Sequence, residues 1–351
     1  MSAPPPIAAI DLFSALFIAL AAITGAGYTL RFLQRRERGR TRGQVHDLAR
    51  SLGGFLERRT PPYALAKEAA AAAPDIFWAA LEDLASRRSN WLALSRALVD
   101  SPHCAAEREA LLDKSPWRRE LAARRLALLF SPESRRALRA ALRDGPGLVT
   151  AAAAAALARY RDLEALRWLL ANPATLERRP HRPRVALLRG FGRRALPDLT
   201  AALDRGTGDA AMDRALIEAL GLAGCRDAHR SIERRLCDGD AEQRIAAARA
   251  LGRMQADDSV TALMGALQDE AWQVRAQAAW ALGRTRSDLA IQALPARLTD
   301  PAWWVRRHAA YALREFGMEG RRELERIAHG SPDPFARDMA REVLEGWPAA
   351  A

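Results

Sequence analysis

The sequence predicts an all-α solenoid of stacked helical hairpins preceded by a single transmembrane helix. Two observations predict it. A repeat of 31 residues runs through Arg244, Arg275, Arg306 and Arg337, through Leu251, Leu282, Leu313 and Leu344, and through Asp238, Asp269 and Asp300. A period of that size, filled with helix formers, means hairpins that bury their apolar faces only by stacking. The second observation is an uncharged apolar run of 19 residues, 12–30, near the start of the chain.

In chain order, residues 1–11 form a short N-terminal stretch whose first ten residues contain no basic side chain. Residues 12–30 read LFSALFIALAAITGAGYTL. At the rise of a helix they extend about 29 Å, close to the thickness of a bilayer's hydrocarbon core. A secretory signal peptide carries its positive charge before the apolar run; here Arg31, Arg35, Arg36, Arg38, Arg40 and Arg42 follow it. By the positive-inside rule these arginines stay in the cytoplasm, which predicts a single pass with the N-terminus out and the repeats in. They could also attract anionic headgroups.

Residues 31–60 are a basic juxtamembrane segment, with nine arginines against Glu37, Asp47 and Glu57. Residues 44–58 are mildly amphipathic, and Gly53 and Gly54 predict either a break in the helix or a short hairpin there. Residues 61–115 predict helices near 63–72, 75–86 and 89–99, punctuated by Pro74, Ser89 and Pro102, as degenerate hairpins that cap the stack. From 116 to 351 the repeats are regular: about seven hairpins and a final helix near 333–346. In the clearest repeats, Val274, Ala278, Ala281 and Leu282 share one side of a first helix, as do Val305, Ala309, Ala312 and Leu313. Second helices follow, with Leu263 and Leu267, then Leu294 and Leu298, four apart. Pro295 is expected in the first turn of its helix. Gly190, Gly221, Gly252 and Gly283 recur at the same period.

The residues Asp269, Val274, Arg275, Ala278, Ala279, Ala281, Leu282 and Gly283, recurring at 300–317 and 238–253, resemble the HEAT repeat in its short bacterial, PBS-lyase-like or E-Z variety. The resemblance implies an α-solenoid in which Asp269, Asp300, Arg275 and Arg306 link adjacent layers. It also implies a bacterial host, and with the anchor places the repeats at the inner membrane's cytoplasmic face. A family motif of this kind encodes packing and carries little about activity.

Composition narrows the function classes. The formal net charge is +12, and all but two of the 54 basic residues are arginine. Outside residues 31–59 and 177–194 the charge is nearly balanced, so no long basic stripe is available for nucleic acid. Cys104, Cys225 and Cys237 are too scattered for a disulfide framework or zinc site and read as buried thiols. The six histidines fall in separate repeats, and no HExxH, CxxC or Gly-rich phosphate loop occurs. The His-Glu dipeptides of di-iron HEAT hydroxylases are absent too. No cofactor, metal or catalytic group is expected.

Two places deviate from the repeat and are candidates for partner binding. Arg178, Arg179, Arg182 and Arg184 form a proline-broken basic loop, which reads either as a solvated loop or as a contact for an acidic partner or anionic lipid. Trp272, Trp280, Trp303 and Trp304, with Tyr311 nearby, lie off the apolar stripe. They read either as packing between layers or as an exposed hot spot for a protein. The expectation is a membrane-anchored, non-catalytic adaptor that binds a protein partner. The competing readings are an E-Z type lyase and a nucleic-acid-binding HEAT protein resembling the alkylpurine glycosylases.

Overall fold

The computed structural model describes residues 41–84, 91–144, 147–255, 257–285 and 287–347. The expected membrane helix at 12–30 lies outside the described residues, as do Arg31, Arg35, Arg36, Arg38 and Arg40; Arg42 is exposed on the first described helix. Among the described residues no helix is long and apolar enough to cross a membrane.

The described chain is helical, and by its contacts it divides into two units, the described residues up to 110 with 128–134, and 111–127 with the described residues from 135 onward. The first unit contains α1 (41–56), α2 (Pro62–Ala71), α3 (Pro74–Leu84), α4 (Trp91–Leu98) and α5 (Pro102–Ala110). Prolines open three of these helices, where the missing N–H costs nothing. α1 runs unbroken through Gly53 and Gly54, correcting the expected break or hairpin. Gly54 leaves room for Thr60, whose hydroxyl oxygen would sit 2.9 Å from an added Cβ. Phe77, Trp78, Leu52, Leu65 and Leu81 are fully buried together. His103 stacks on Phe77 at 4.5 Å and places Nε2 3.1 Å from the Ala69 carbonyl, so it is a satisfied core histidine.

The remaining helices are α6 (Pro116–Leu126), α7 (Pro132–Ala141), α8 (Leu148–Arg159), α9 (Leu163–Ala171), α10 (His181–Gly190), α11 (Leu196–Arg205) and α12 (Ala210–Ala223). They continue as α13 (His229–Asp238), α14 (Ala241–Met254), α15 (Val260–Ala266), α16 (Trp272–Leu282), α17 (Asp288–Ala293), α18 (Trp303–Arg314), α19 (Met318–Gly330) and α20 (Pro334–Glu345). In the second unit the first helices pack in series, α6 on α8, α10, α12, α14, α16, α18 and α20 in turn, and second helices α9, α11, α13, α15 and α17 stack beside them. This is a helical solenoid. Leu251, Leu282 and Leu313 are fully buried between the layers, as are Val274 and Val305. Leu344, the last of its series, is only half-buried. Pro295 does not begin an α-helix: α17 precedes it, and Pro295–Thr299 is a 3-10 segment.

The periodic glycines set the layer spacing. A Cβ at Gly252 would lie 2.8 Å from the Cα of Ala281, and one at Gly283 would lie 2.6 Å from the Cα of Ala312. First helices thus cross backbone to backbone, with glycine on one and alanine on the next.

The periodic Asp and Arg form a ladder of carboxylate–guanidinium rungs. Arg275 donates from Nη1 to the carbonyls of Asp269 and Glu270, at 2.8 and 3.1 Å, in its own turn. Its Nε and Nη2 donate to Asp300 of the next turn at 2.7 and 2.9 Å. Arg244 reaches Asp269 in the same way, at 2.7 and 3.0 Å, and Arg119 reaches Asp144 at the same distances. Each rung is bidentate, the geometry in which arginine binds carboxylate most strongly. The ladder is interrupted on both sides of Arg244 and Arg275. The residue one period before Arg244 is Asp213, so Asp238 has no arginine facing it and is exposed. One period after Asp300 stands Ser331; Arg306 holds the Asp300 and Pro301 carbonyls, and its buried Nε has no hydrogen-bond partner. Phe335 lies over that guanidinium at 5.2 Å instead.

Cys237 is exposed at the end of α13, correcting the expectation that all three cysteines are buried. Burial pushes its thiol above the ordinary value, and Asp238 and Glu233 add to the shift. Burial pushes the Cys104 thiol up to about 12, with Arg108 opposing and Glu107 adding. Because only the thiolate reacts, a maleimide at mildly alkaline pH should label Cys237 first and leave Cys104 unmodified until the chain unfolds. Mass spectrometry of the modified peptides checks this, and prompt labelling of native Cys104 would contradict its burial.

Candidate partner-binding groove

The tryptophans divide by environment. Trp280 is half-buried with its ring against Gly252, so it packs between layers, and Arg284 lies over it at 5.5 Å. Trp272, Trp303 and Trp304 are 40, 44 and 49% exposed, too open for interlayer packing. They sit at the first positions of α16 and α18, where the chain enters each first helix. Trp303 and Trp304 meet edge to face at 4.7 Å, and Arg307 lies between Trp303 and Tyr311, at 5.5 and 4.6 Å.

Trp272 and Trp304 border a groove of about 410 Å³ that crosses α12, α14, α16 and α18. Ile245, Ala246 and Ala276 also line it. The last two are buried and small, which gives the groove its depth. His308 closes the Trp304 end, its Nδ1 2.9 Å from the Ala276 carbonyl and its ring 6.2 Å from that of Trp304.

Two carboxylates line the groove, and both have partners. Glu242 accepts Arg214 at 2.8 Å. Glu218 accepts His181 Nε2 at 2.6 Å. Burial raises the Glu218 value, but the His181 hydrogen bond and the charges of His181, Arg253 and Arg249 outweigh it and hold the carboxyl below the usual range. Arg249, on the groove wall, has only a 3.4 Å bond from Nε to the Gln277 side-chain oxygen. Burial holds Arg253, one turn further along α14, below the ordinary guanidinium value, against the pull of Glu218.

The basic loop is less available than its sequence suggests. Arg184 is 3% exposed and donates from Nη2 to the carbonyls of Leu176, Glu177 and Arg179, tying the loop together. Arg184 is therefore a structural residue, which corrects its reading as part of an accessible patch. Arg179 is half-buried and donates to the Ala151 carbonyl at 3.4 Å; burial lowers its value. Arg178 and Arg182 remain exposed.

The structure adds residues that the sequence reading passed over. Trp117 and Phe335, 71 and 63% exposed, occupy the second positions of α6 and α20, as Trp304 does in α18. The signal was available for Phe335, which stands one period after Trp304. Arg249 and Gln277 carried no signal of their own, because groove membership depends on which first helices are adjacent.

Helices paired and stacked at a short period, several turns tied by rungs, define a helical-hairpin repeat protein. Residues 196–273 and 262–345 match the family model of HEAT repeats. The chain carries HEAT repeats across that region. No curated protein matches the sequence. Among solved structures, an engineered protein is similar at 19% identity, with 86% of this chain and 93% of that chain covered and a TM-score of 0.38. Human deoxyhypusine hydroxylase in complex with glycerol is similar at 21% identity, with 80% and 98% covered and a TM-score of 0.33. A structure of tubulin recruitment and assembly by microtubule polymerases with TOG domain arrays is similar at 11% identity, with 87% and 88% covered and a TM-score of 0.33. Among the described residues no group of three or more His, Cys, Asp or Glu side chains could hold a metal ion.

Proposed function

We propose that the chain is a non-catalytic scaffold of the short E-Z variety, held at the cytoplasmic face of the bacterial inner membrane by residues 12–30, with a protein partner seated in the groove between Trp272 and Trp304. The exposure of Trp272, Trp303 and Trp304 beside that groove carries the reading. Exposed tryptophans around a small-residue floor are the composition of an interface hot spot, and truncating such an anchor costs about 2 kcal/mol or more in binding. The uncharged run at 12–30 and the arginines after it support the anchor and its orientation.

The exposed thiol of Cys237 supplies a topology probe. A membrane-impermeant maleimide should leave it unlabelled in intact spheroplasts and label it after permeabilisation; labelling of intact spheroplasts would overturn the orientation. For the binding reading, full-length chain is crosslinked in native membranes. A protein adduct should form with the parent chain and fall at least tenfold with Trp272→Ala/Trp304→Ala. An adduct unchanged by the double substitution would remove the groove from the function.

A further inference from the structure

The groove has two chemically different ends. At one, Trp272 and Trp304 stand over Ala276 and Ile245. At the other, Arg249 on α14 lines the wall near Glu218, which accepts His181 Nε2, and the charge of Arg253, one turn further along α14, also acts on that carboxyl. Among the described residues neither arginine forms an ion pair within 4 Å, whereas Arg214 at the groove's edge does. With Arg253 counted beside the lining, three arginines stand against Glu218 and Glu242, a surplus of one positive charge, and each carboxylate already has a partner in Arg214 or His181.

We infer that the groove binds an acidic peptide segment, with an aromatic or aliphatic side chain between Trp272 and Trp304 and a carboxylate against Arg249 and Arg253. This rests on the reading of the groove as a protein-binding site and specifies the partner's chemistry. Each part of the site has a use for such a ligand. The indole faces and the alanine floor take up apolar surface, which is non-directional and sets strength. A guanidinium held by no direct ion pair gives direction and register, because a carboxylate can accept two parallel hydrogen bonds from it. The Gln277 side chain, bonded to Arg249 only at 3.4 Å, can turn to a peptide backbone group. A nucleic-acid strand fits less well, since two carboxylates line the groove and a continuous run of phosphates would have to pass both.

The test uses the full-length chain in detergent, immobilised and panned against a random linear peptide library on phage; enriched peptides are then measured by fluorescence polarisation. The expected result is enrichment of sequences with Asp or Glu a few residues from Trp, Phe or Leu. Binding should weaken about tenfold or more in Arg249→Glu/Arg253→Glu, less in Arg249→Gln/Arg253→Gln, and fall with added salt. Both arginines act on Glu218 by charge, so the glutamine pair, which adds no like charge beside it, is the variant whose thermal melt should stay near the parent's and separates lost binding from unfolding. Enriched peptides that lack acidic residues, or that bind the charge-reversed variant unchanged, overturn the inference; so does a library that yields no enriched peptide. If such peptides still depend on Trp272 and Trp304, the groove remains a protein site and only the acidic chemistry fails. If they depend on neither pair, both readings fail. Arginine-dependent binding of poly(dT) that is tighter than any peptide identifies nucleic acid as the occupant and overturns the inference.

Discussion

Replacing Gly283 by alanine should lower the stability of the repeat region, although the same change at Gly265 should raise it. Both glycines are associated with helices, and alanine is favoured over glycine in a helix interior by about 1 kcal/mol. At Gly265 nothing lies within 4 Å of an added Cβ, so the propensity gain stands alone. At Gly283 the added atom would lie 2.6 Å from both the Cα and the Cβ of Ala312, so α16 and α18 must separate. Overpacking of this kind costs about 1–3 kcal/mol, and the obstacle includes backbone and cannot turn aside. The net loss should be about 1–2 kcal/mol for alanine and at least ~3 kcal/mol for leucine by the same overpacking argument. Denaturant melts of the three variants check the signs. A stabilised Gly283→Ala would show that the layers are not held at this separation.

The second large effect is at Asp300. Replacing it with alanine removes the acceptor of two Arg275 hydrogen bonds while Arg275 stays tied to the Asp269 and Glu270 carbonyls. Asp300 is buried, and removing one partner of a buried pair costs about 3–5 kcal/mol. The partial exposure of Arg275 places this rung at the low end, about 3 kcal/mol by that scale. An exposed pair such as Arg50 with Asp47 should cost under ~0.5 kcal/mol. The rung also has a pH signature. Burial raises the Asp300 value, but the Arg275 hydrogen bond, the Ala302 N–H and nearby arginine charge outweigh it, leaving the carboxyl below its ordinary value. Folding therefore favours the ionised form. The contribution is complete above the unfolded aspartate value of about 3.9 and is lost as pH falls through the lower folded value. The stability gap between parent and Asp300→Ala should be constant near neutrality and should shrink in acid below about pH 4 by that linkage. A gap that widens in acid would contradict the assignment.

The repeat architecture was legible because its causes are local and periodic. Arg275 and Asp300 lie 25 residues apart in sequence, and the repeat itself announces that they face each other across one layer. The glycine series was legible as a pattern, but its cause was not, because the close approach of Gly283 to Ala312 belongs to two helices at once. The candidate site was read only in part. Trp272, Trp303 and Trp304 were picked out as deviations, yet whether they pack or face solvent depends on their position at the helix entrance, which one residue of offset reverses. Arg184 shows the opposite error: a charge run looks solvated, while one of its members holds three carbonyls at 3% exposure. Arg249 gained meaning only when α12, α16 and α18 were placed beside α14.

The gaps in the ladder have a consequence for how the stack comes apart. In a one-dimensional array each layer is held only by its neighbours, so weak junctions divide the array into cooperative blocks. The rungs from Arg244 and Arg275 join three successive turns, while the junction after them, where Ser331 stands in place of the aspartate, has none; before them the periodic position is Asp213, which pairs with Arg235 at 3.4 Å instead. The turns at 238, 269 and 300 should therefore open as a single unit, with α20 exchanging its amide protons ahead of α14, α16 and α18. Hydrogen exchange that proceeds uniformly from α14 to α20 would show the rungs to be redundant with the apolar stack. The groove lies almost wholly on that block, on the part of the chain that should stay closed longest while its ends breathe.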